Sequence, residues 1–597
     1  MTDQPVATTT ADGTLPYPEA DVIFHGGEIV TVAAGPVPAV LPEAVAVKDG
    51  VIVFVGGHRA ALDRWQGART QLRDLRGRAL LPGFIDAHGH LGGIGLQATI
   101  ANLLAAPDGD VTDIPSLQEK LRAWAGTAVG AASGWIVGFG YDDAMLAEGR
   151  HPTREELDEV SGTRPVLAVH QSFHLGAVNS AGLAALGYDA EREDPEGGVI
   201  RRKEGVEAPP YGEPDGVLEE TAFNPASDAA TAGLPAEALL ALFSKGVASA
   251  ASFGFTTVQE GGTTPANLKA LRDAAAVAPF KIDVVAYVRA DRALAALPAD
   301  VVGASQEYEG GVRAAGVKMY LDGSPQGRTA WLTEPYTTRP AGKPEGYRGY
   351  PTVADDKVVL DQVQKAFAKD WQILAHVNGD AAIDQFIDAV EGATGKTAPR
   401  DRRTVAIHAQ TAREEQIDDF GRLGIIPSFF SMHTYYWGDW YRKTVLGPER
   451  AARISPAKWA VDRNMVYTSH HDAPVALPNS IAILASQVTR RTRTDGVVLG
   501  PDQCVSALDA VRSITVNAAH QYFEQDSKGS LEVGKLADLV VLSANPLTVH
   551  PDEIKDITVA ETFKRGARVH PPLTTQGADR GGETSVVPAD HEWHCSC

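Results

Sequence analysis

Between about residues 80 and 530 the chain alternates short apolar runs of strand character with Ala-rich stretches of helical period. That is the texture of repeated βα units on a parallel sheet. Strand character is read in GFIDAHGH, SGWIVGFGYD, PVLAVHQS, FGFTTVQEG, KIDVVAYV, GVKMYLDGS, WQILAHVNGD, RTVAIHAQ, IIPSFF and NMVYTSHHDAP. Helical patterns such as PAEALLALFSKGVASAASFG and DDKVVLDQVQKAFAKDW each precede a strand. The strand runs outnumber those a closed (β/α)8 barrel needs, so some belong to an insertion. The long, irregular, Gly/Pro-rich stretch at about 100–235 is where it is expected. No repeat of fixed period shows.

The flanks read differently. DVIFHGGEIVTV, EAVAVKDGVIVFVGG and GRALLPGF near the start, and GSLEVGKLADLVVLSANP and TVAETFKRGARV near the end, are short β-like runs cut by Gly or Pro. They suggest one small β-domain assembled from both chain ends. The expected organisation is a disordered arm at 1–18, a β-domain over 19–80 plus 528–570, a barrel over 81–527 and a disordered tail at 571–597.

Composition narrows the class. The 597 residues are 44% hydrophobic and 22% charged, ordinary globular values that supply a sizeable core. A net charge of −22 argues against a nucleic-acid partner or an anionic membrane surface. No apolar stretch approaches the roughly 20 residues of a membrane span. The start, MTDQPVATTTADGTLPYPEAD, has no apolar core of a secretory signal. Three cysteines, Cys504, Cys595 and Cys597, cannot staple such a chain, and a reducing cytoplasm is the expected compartment. Cys504 reads as core.

Several strand runs end in metal-competent residues. His88 and His90 close LLPGFIDAHGH, and period two puts both imidazoles on one face if the strand persists. His376, His408 and Asp472 stand at the ends of three further runs. In a barrel those ends converge on the catalytic face, and the donors suit Zn²⁺, Fe²⁺ or Mn²⁺. A lone strand histidine is usually a hydrogen-bonded core residue; the joint pattern is what points to a site. Lys318, inside GVKMYLDG, must either pair with a carboxylate or change its chemistry.

PGFIDAHGH, GVKMYLDGS, AHVNGDAA, AIHAQ and SHHDAPV in that order resemble the metal-dependent amidohydrolase superfamily. SFHLGAVNSAGL, GVLEETA, SPQGRTAWLTEPY and the closing GSLEVGKLADLVVL resemble its YtcJ-like branch, amidohydrolase family 3, which includes N-substituted formamide deformylases. The resemblance runs from about residue 20 to 570. It implies an α/β fold, a (β/α)8 TIM barrel with a composite β-sandwich domain. It also implies one or two divalent ions, zinc before manganese or iron. His88, His90 and Asp472 would hold the first; His376 and His408 would hold the second. Lys318, carbamylated, would bridge them, with Asp322 or Glu220 as fallback donors. Two places depart from the branch pattern: Ala406-Ile407 precedes His408, and Val377-Asn378-Gly379-Asp380 follows His376.

The implied chemistry is hydrolysis of an amide-type C–N bond by metal-bound hydroxide, its pKa lowered from 15.7 toward ~7. Asp472 would shuttle the proton. His174, His433 or Tyr141 could donate to the oxyanion. His470 and His471 either touch substrate or cap the strand end. The aromatic segment FFSMHTYYWGDWYRK, with Trp437, is a pocket wall and lid or else a subunit interface. HEWHCSC, with His591, His594, Cys595 and Cys597, could scavenge metal on a flexible tail. A small-molecule substrate and a dimer are the expected partners. A cyclic amide, carbamate or ester is the alternative substrate; a non-catalytic scaffold is disfavoured by the complete ligand set.

Overall fold

The computed structural model describes residues 19–35, 40–203, 209–231, 236–291, 294, 307–340, 343–395 and 401–572. The arm at 1–18, and the tail from 573 with His591, His594, Cys595 and Cys597, lie outside the described residues. At the centre is an eight-stranded sheet in which each strand neighbours the next in sequence. Its strands are β1 Phe84–Ile85, β2 Phe255–Thr263, β3 Asp283–Arg289, β4 Val312–Tyr320, β5 Gln372–Val377, β6 Val405–His408, β7 Ile426–Phe429 and β8 Thr468–Ser469. Every pairing is parallel. The sheet curls until the chain just beyond β1 meets the chain just beyond β8. Asp472 N–H donates to the His88 carbonyl at 3.2 Å, and His90 N–H to the Ala473 carbonyl at 2.8 Å. The result is a TIM-barrel-like α/β fold.

These strands read as continuous apolar runs because both faces are covered. Val284, Val285, Ala286, Tyr287 and Val288 in β3 are all fully buried. Alternate residues such as Ile85, Val285, Tyr287, Leu374 and Ile407 form one interior cluster. Helices cover the outside. Asp356–Ala368, capped by Asp355, buries Val359, Val363, Ala366 and Phe367, the stripe expected of a helix with one face on a sheet.

Two of the strand runs lie outside this sheet. SGWIVGFGYD and PVLAVHQS supply Ile136–Tyr141 and Val166–His170 of a separate six-stranded sheet spanning residues 101–220. Its period-two alternation feeds a core on each face. Ile136, Tyr141, Val166 and Ala168 enter one cluster, and Val137, Phe139, Leu167 and Val169 another. Two smaller sheets flank the barrel, the first built from residues 22–74 alone and the second from both chain ends. Val22–His25 belongs to one; Ala79–Pro82 pairs with Leu539–Leu542 in the other. Val22, Phe24, Leu80, Leu539, Val541 and Phe563 share a core.

A buried ion network ties the later part of the chain to the barrel floor. Lys528 and Lys564 each place Nζ 2.6 Å from Asp283 at the start of β3. Glu524 balances Lys528 at 2.8 Å, and Asp538 balances Lys564 at 2.7 Å. Burial works against the Asp283 charge, but the two ammoniums outweigh it and hold the carboxyl at about 2. Its folded value lies below the ordinary 3.8, so its contribution is full above that pH and fades as pH falls toward 2. Asp283→Asn is expected to cost roughly 3 kcal/mol. It should also flatten the fall in urea midpoint between pH 5 and 3; an unchanged midpoint at pH 6 would contradict the network's role.

Candidate metal centre

The seam that closes the barrel is also where the metal-competent side chains meet. Beyond β1 the chain continues as Asp86-Ala87-His88-Gly89-His90. His88 Nε2 lies 3.2 Å and His90 Nε2 3.4 Å from the same oxygen, Asp472 Oδ1. Donor atoms of these three residues all lie within 4.8 Å of one another. Gly89 between the histidines is required by crowding: a Cβ there would stand 2.7 Å from Asp86 Oδ2 and 2.9 Å from His471 Cε1. Asp472 itself has φ +52° and His408 has φ +72°, left-handed backbone that non-glycine residues adopt at a cost, commonly at functional sites.

Electrostatics favour lone pairs over protons on the rings. Burial, aided by Lys318, lowers His88 to about 4. Burial likewise drives His376, His408 and His470 well below the ordinary imidazole value. Asp472 stays anionic. Burial works against its charge, but His408, His88 and His90 around it outweigh that. Asp472 Oδ1 is buried without a hydrogen-bond partner. A buried anionic oxygen left unsatisfied beside the deprotonated His88 ring fits a divalent cation.

His376 and His408 adjoin this group, their ring centroids 4.5 Å apart. His408 Nε2 is 3.8 Å from Asp472 Oδ2, and His88 and His408 centroids are 5.5 Å apart. Lys318 is almost fully buried, with Nζ 2.9 Å from His88 Nε2. Among the described residues no carboxylate forms an ion pair with it, so the paired-lysine alternative is not what the structure shows. Burial lowers its amine to about 7.

Supporting residues fix each ring. Gln259 Oε1 contacts His88 Nδ1 at 2.5 Å, and Asp322 Oδ1 lies 3.2 Å from His376 Nδ1. His470 Nε2 meets His408 Nδ1 at 3.1 Å and is itself held by Ser428. Asp86 lies 3.3 Å from His471, whose Nδ1 accepts the Ala473 N–H. His471 thus braces the turn rather than facing the centre. Gln259 and Asp86 were missed in the sequence, although a polar residue inside an apolar strand run is a signal that it needs a buried partner.

The remaining sequence candidates are scattered. His174 packs its ring 4.7 Å from that of His376. His433 meets Phe430 edge to face, centroids 4.4 Å apart, and places Nδ1 2.6 Å from the Tyr441 hydroxyl. Trp437, buried, donates Nε1–H to Asp142 at 2.9 Å and bolts the aromatic segment to the inserted sheet. Tyr141 lies in the core of that sheet, its hydroxyl on His151 at 3.1 Å, and is not brought to the centre. A second grouping, Asp142, Asp143 and His170, has donor atoms equally close. Its members already bond one another and their neighbours: His170 Nε2 with Asp143 at 3.1 Å, the Ser172 N–H to His170 Nδ1, and Trp437 to Asp142.

A family model described as the amidohydrolase family matches residues 71–570. The chain belongs to the amidohydrolase family. This amidohydrolase is 26% identical over 565 residues to YtcJ of Bacillus subtilis, a protein named as an amidohydrolase, covering 92% of this chain and 99% of that one. It is 26% identical over 552 residues to an N-substituted formamide deformylase of Arthrobacter pascens, covering 88% and 94%. An uncharacterised metal-dependent hydrolase from Pyrococcus horikoshii shares the fold, with TM-score 0.68 at 23% identity, over 89% of this chain and 99% of that chain. Family membership supports a metal-dependent hydrolase. Among the described residues no helix is long and apolar enough to cross a membrane.

Gln259→Leu removes the acceptor that orients His88. Zinc affinity, measured by competition with a chelator, is expected to fall about 10–100-fold. Unchanged affinity would show that Gln259 is only packing.

Proposed function

We propose that this amidohydrolase hydrolyses an amide-type C–N bond in a small molecule, an N-substituted formamide or a related N-acyl compound. The observation that carries the reading is the orphaned Asp472 Oδ1 facing His88 and His90, beside a second imidazole pair. In this reading His88, His90 and Asp472 hold one divalent ion, zinc best suiting the N and O donors, and His376 and His408 hold another. Lys318, if carbamylated on its buried amine, would supply an anionic oxygen ligand between the two groups. A divalent ion bound there supplies Lewis acidity and an activated water at neutral pH.

The protein groups do the rest. Asp472, anionic and at the seam, accepts a proton from the attacking water and returns it to the departing amine. Gln259 and Asp322 keep the His88 and His376 rings turned to the centre. Similarity to the deformylase supports the formamide choice. We read the two small sheets, with their shared core, as one composite β-sandwich.

Asp472→Asn, assayed on N-benzylformamide by amine release, is expected to lose at least about 10³-fold in kcat while the fold is retained by circular dichroism. More than a tenth of wild-type activity would refute the proton-shuttle role. Lys318→Ala should lower metal content and regain part of its activity with added acetate. Normal metal content, with no carbamate mass on wild-type Lys318, would refute the bridge.

A further inference from the structure

The inserted sheet delivers two side chains to the barrel mouth. His174 immediately precedes the strand Leu175–Val178, and Glu220 ends the strand Pro214–Glu220. These strands are antiparallel neighbours, and the Glu220 N–H donates to the His174 carbonyl at 2.8 Å. Across that pair His174 Nδ1 lies 2.7 Å from Glu220 Oε2, a charge-assisted contact that fixes the ring.

Glu220 is held there at a cost. It is 7% exposed, its φ is +51°, and Oε1 is buried without a partner. The barrel makes room for it. A Cβ on Gly323 would stand 2.1 Å from Glu220 Oε1 and 2.7 Å from Thr329 Cβ, so a larger residue there would push the carboxylate away. Gly323 follows Asp322, the residue that orients His376. Strain and an unsatisfied oxygen, kept at the contact between insertion and metal centre, mark a functional position rather than a packing one.

We infer that His174, oriented by Glu220, donates from Nε2 to the substrate's carbonyl oxygen as negative charge develops there; this rests on the hydrolase reading above. In the imidazolium paired with that carboxylate, Nδ1–H is given to Glu220 and Nε2–H is the proton left to donate; no hydrogen bond occupies Nε2 among the described residues. The ring's contact with that of His376, 4.7 Å between centroids, puts it beside the centre. The other candidate donors are worse placed. Tyr141 is buried in the inserted sheet on His151, and His433 Nδ1 is taken by Tyr441. His174 is thus a catalytic residue and Glu220 its positioning residue. Neither comes from the barrel, so the insertion completes the site.

The test compares wild type, His174→Gln and Glu220→Gln as metal-loaded full-length protein, with three readouts. On N-(4-nitrophenyl)formamide, kcat should fall about 10²–10³-fold for His174→Gln, with KM within a few-fold. Glu220→Gln should fall by at least about tenfold in kcat, again with little change in KM. Metal content should match wild type in both. Binding of methylphosphonate, a tetrahedral anion, should weaken at least tenfold in His174→Gln. Near-wild-type kcat in both variants would overturn the inference, as would metal loss in proportion to activity, which would make His174 a ligand. If wild type turns over no formamide, the substrate reading fails. Methylphosphonate then decides alone: weaker binding in His174→Gln upholds the donor role, and equal binding overturns it.

Discussion

Two backbone hydrogen bonds, from Asp472 to His88 and from His90 to Ala473, close the barrel and assemble its chemistry in one stroke. Residues separated by most of the barrel's length are brought within 3.4 Å because the first and last strands must meet for the sheet to lose its edges. The geometry leaves a carboxylate oxygen buried and unsatisfied among imidazoles. Such an oxygen is costly unless a cation takes its lone pairs. The fold and the centre therefore depend on the same seam. Rings from neighbouring strands, His376 on β5 and His408 on β6, extend the cluster without any further long-range contact.

The insertion is joined to the barrel's aromatic segment by polar contacts. Asp142 receives Trp437, and Asp108 receives the Tyr436 hydroxyl at 2.6 Å. The aromatic segment after β7 is consequently clamped between barrel and insertion. Trp437 and Tyr441 of this segment are buried within one chain. Phe430, in that segment, touches the rings of both His408 and His433, so the clamp and the centre share a wall.

The barrel was legible because its strands are buried on both faces and several of their ends carry imidazoles or a carboxylate. Lys318 was legible for the same reason, an ammonium where no water can reach. The insertion was less so. Gly/Pro-rich stretches hide short strands, and its two cores come from alternation within runs that resemble barrel strands until pairing is known. Tyr141 illustrates the error this invites: it ends a strand run like the others, but the strand belongs to another sheet. The pairing of His174 with Glu220, 46 positions apart, depends on an antiparallel register that hydrophobic pattern alone does not set. Gln259 and Asp86 stood in plain view as polar residues in apolar runs, and only their partners were hidden.

The central claim is that the barrel seam holds metal. It is tested most directly by elemental mass spectrometry on tag-free full-length protein in which His591, His594, Cys595 and Cys597 are replaced, so that tail-bound ions do not count. The account predicts about two transition-metal ions per chain, falling to about one or fewer in His88→Ala/His90→Ala. No metal in the parent protein, even after growth with added zinc or manganese, would contradict it.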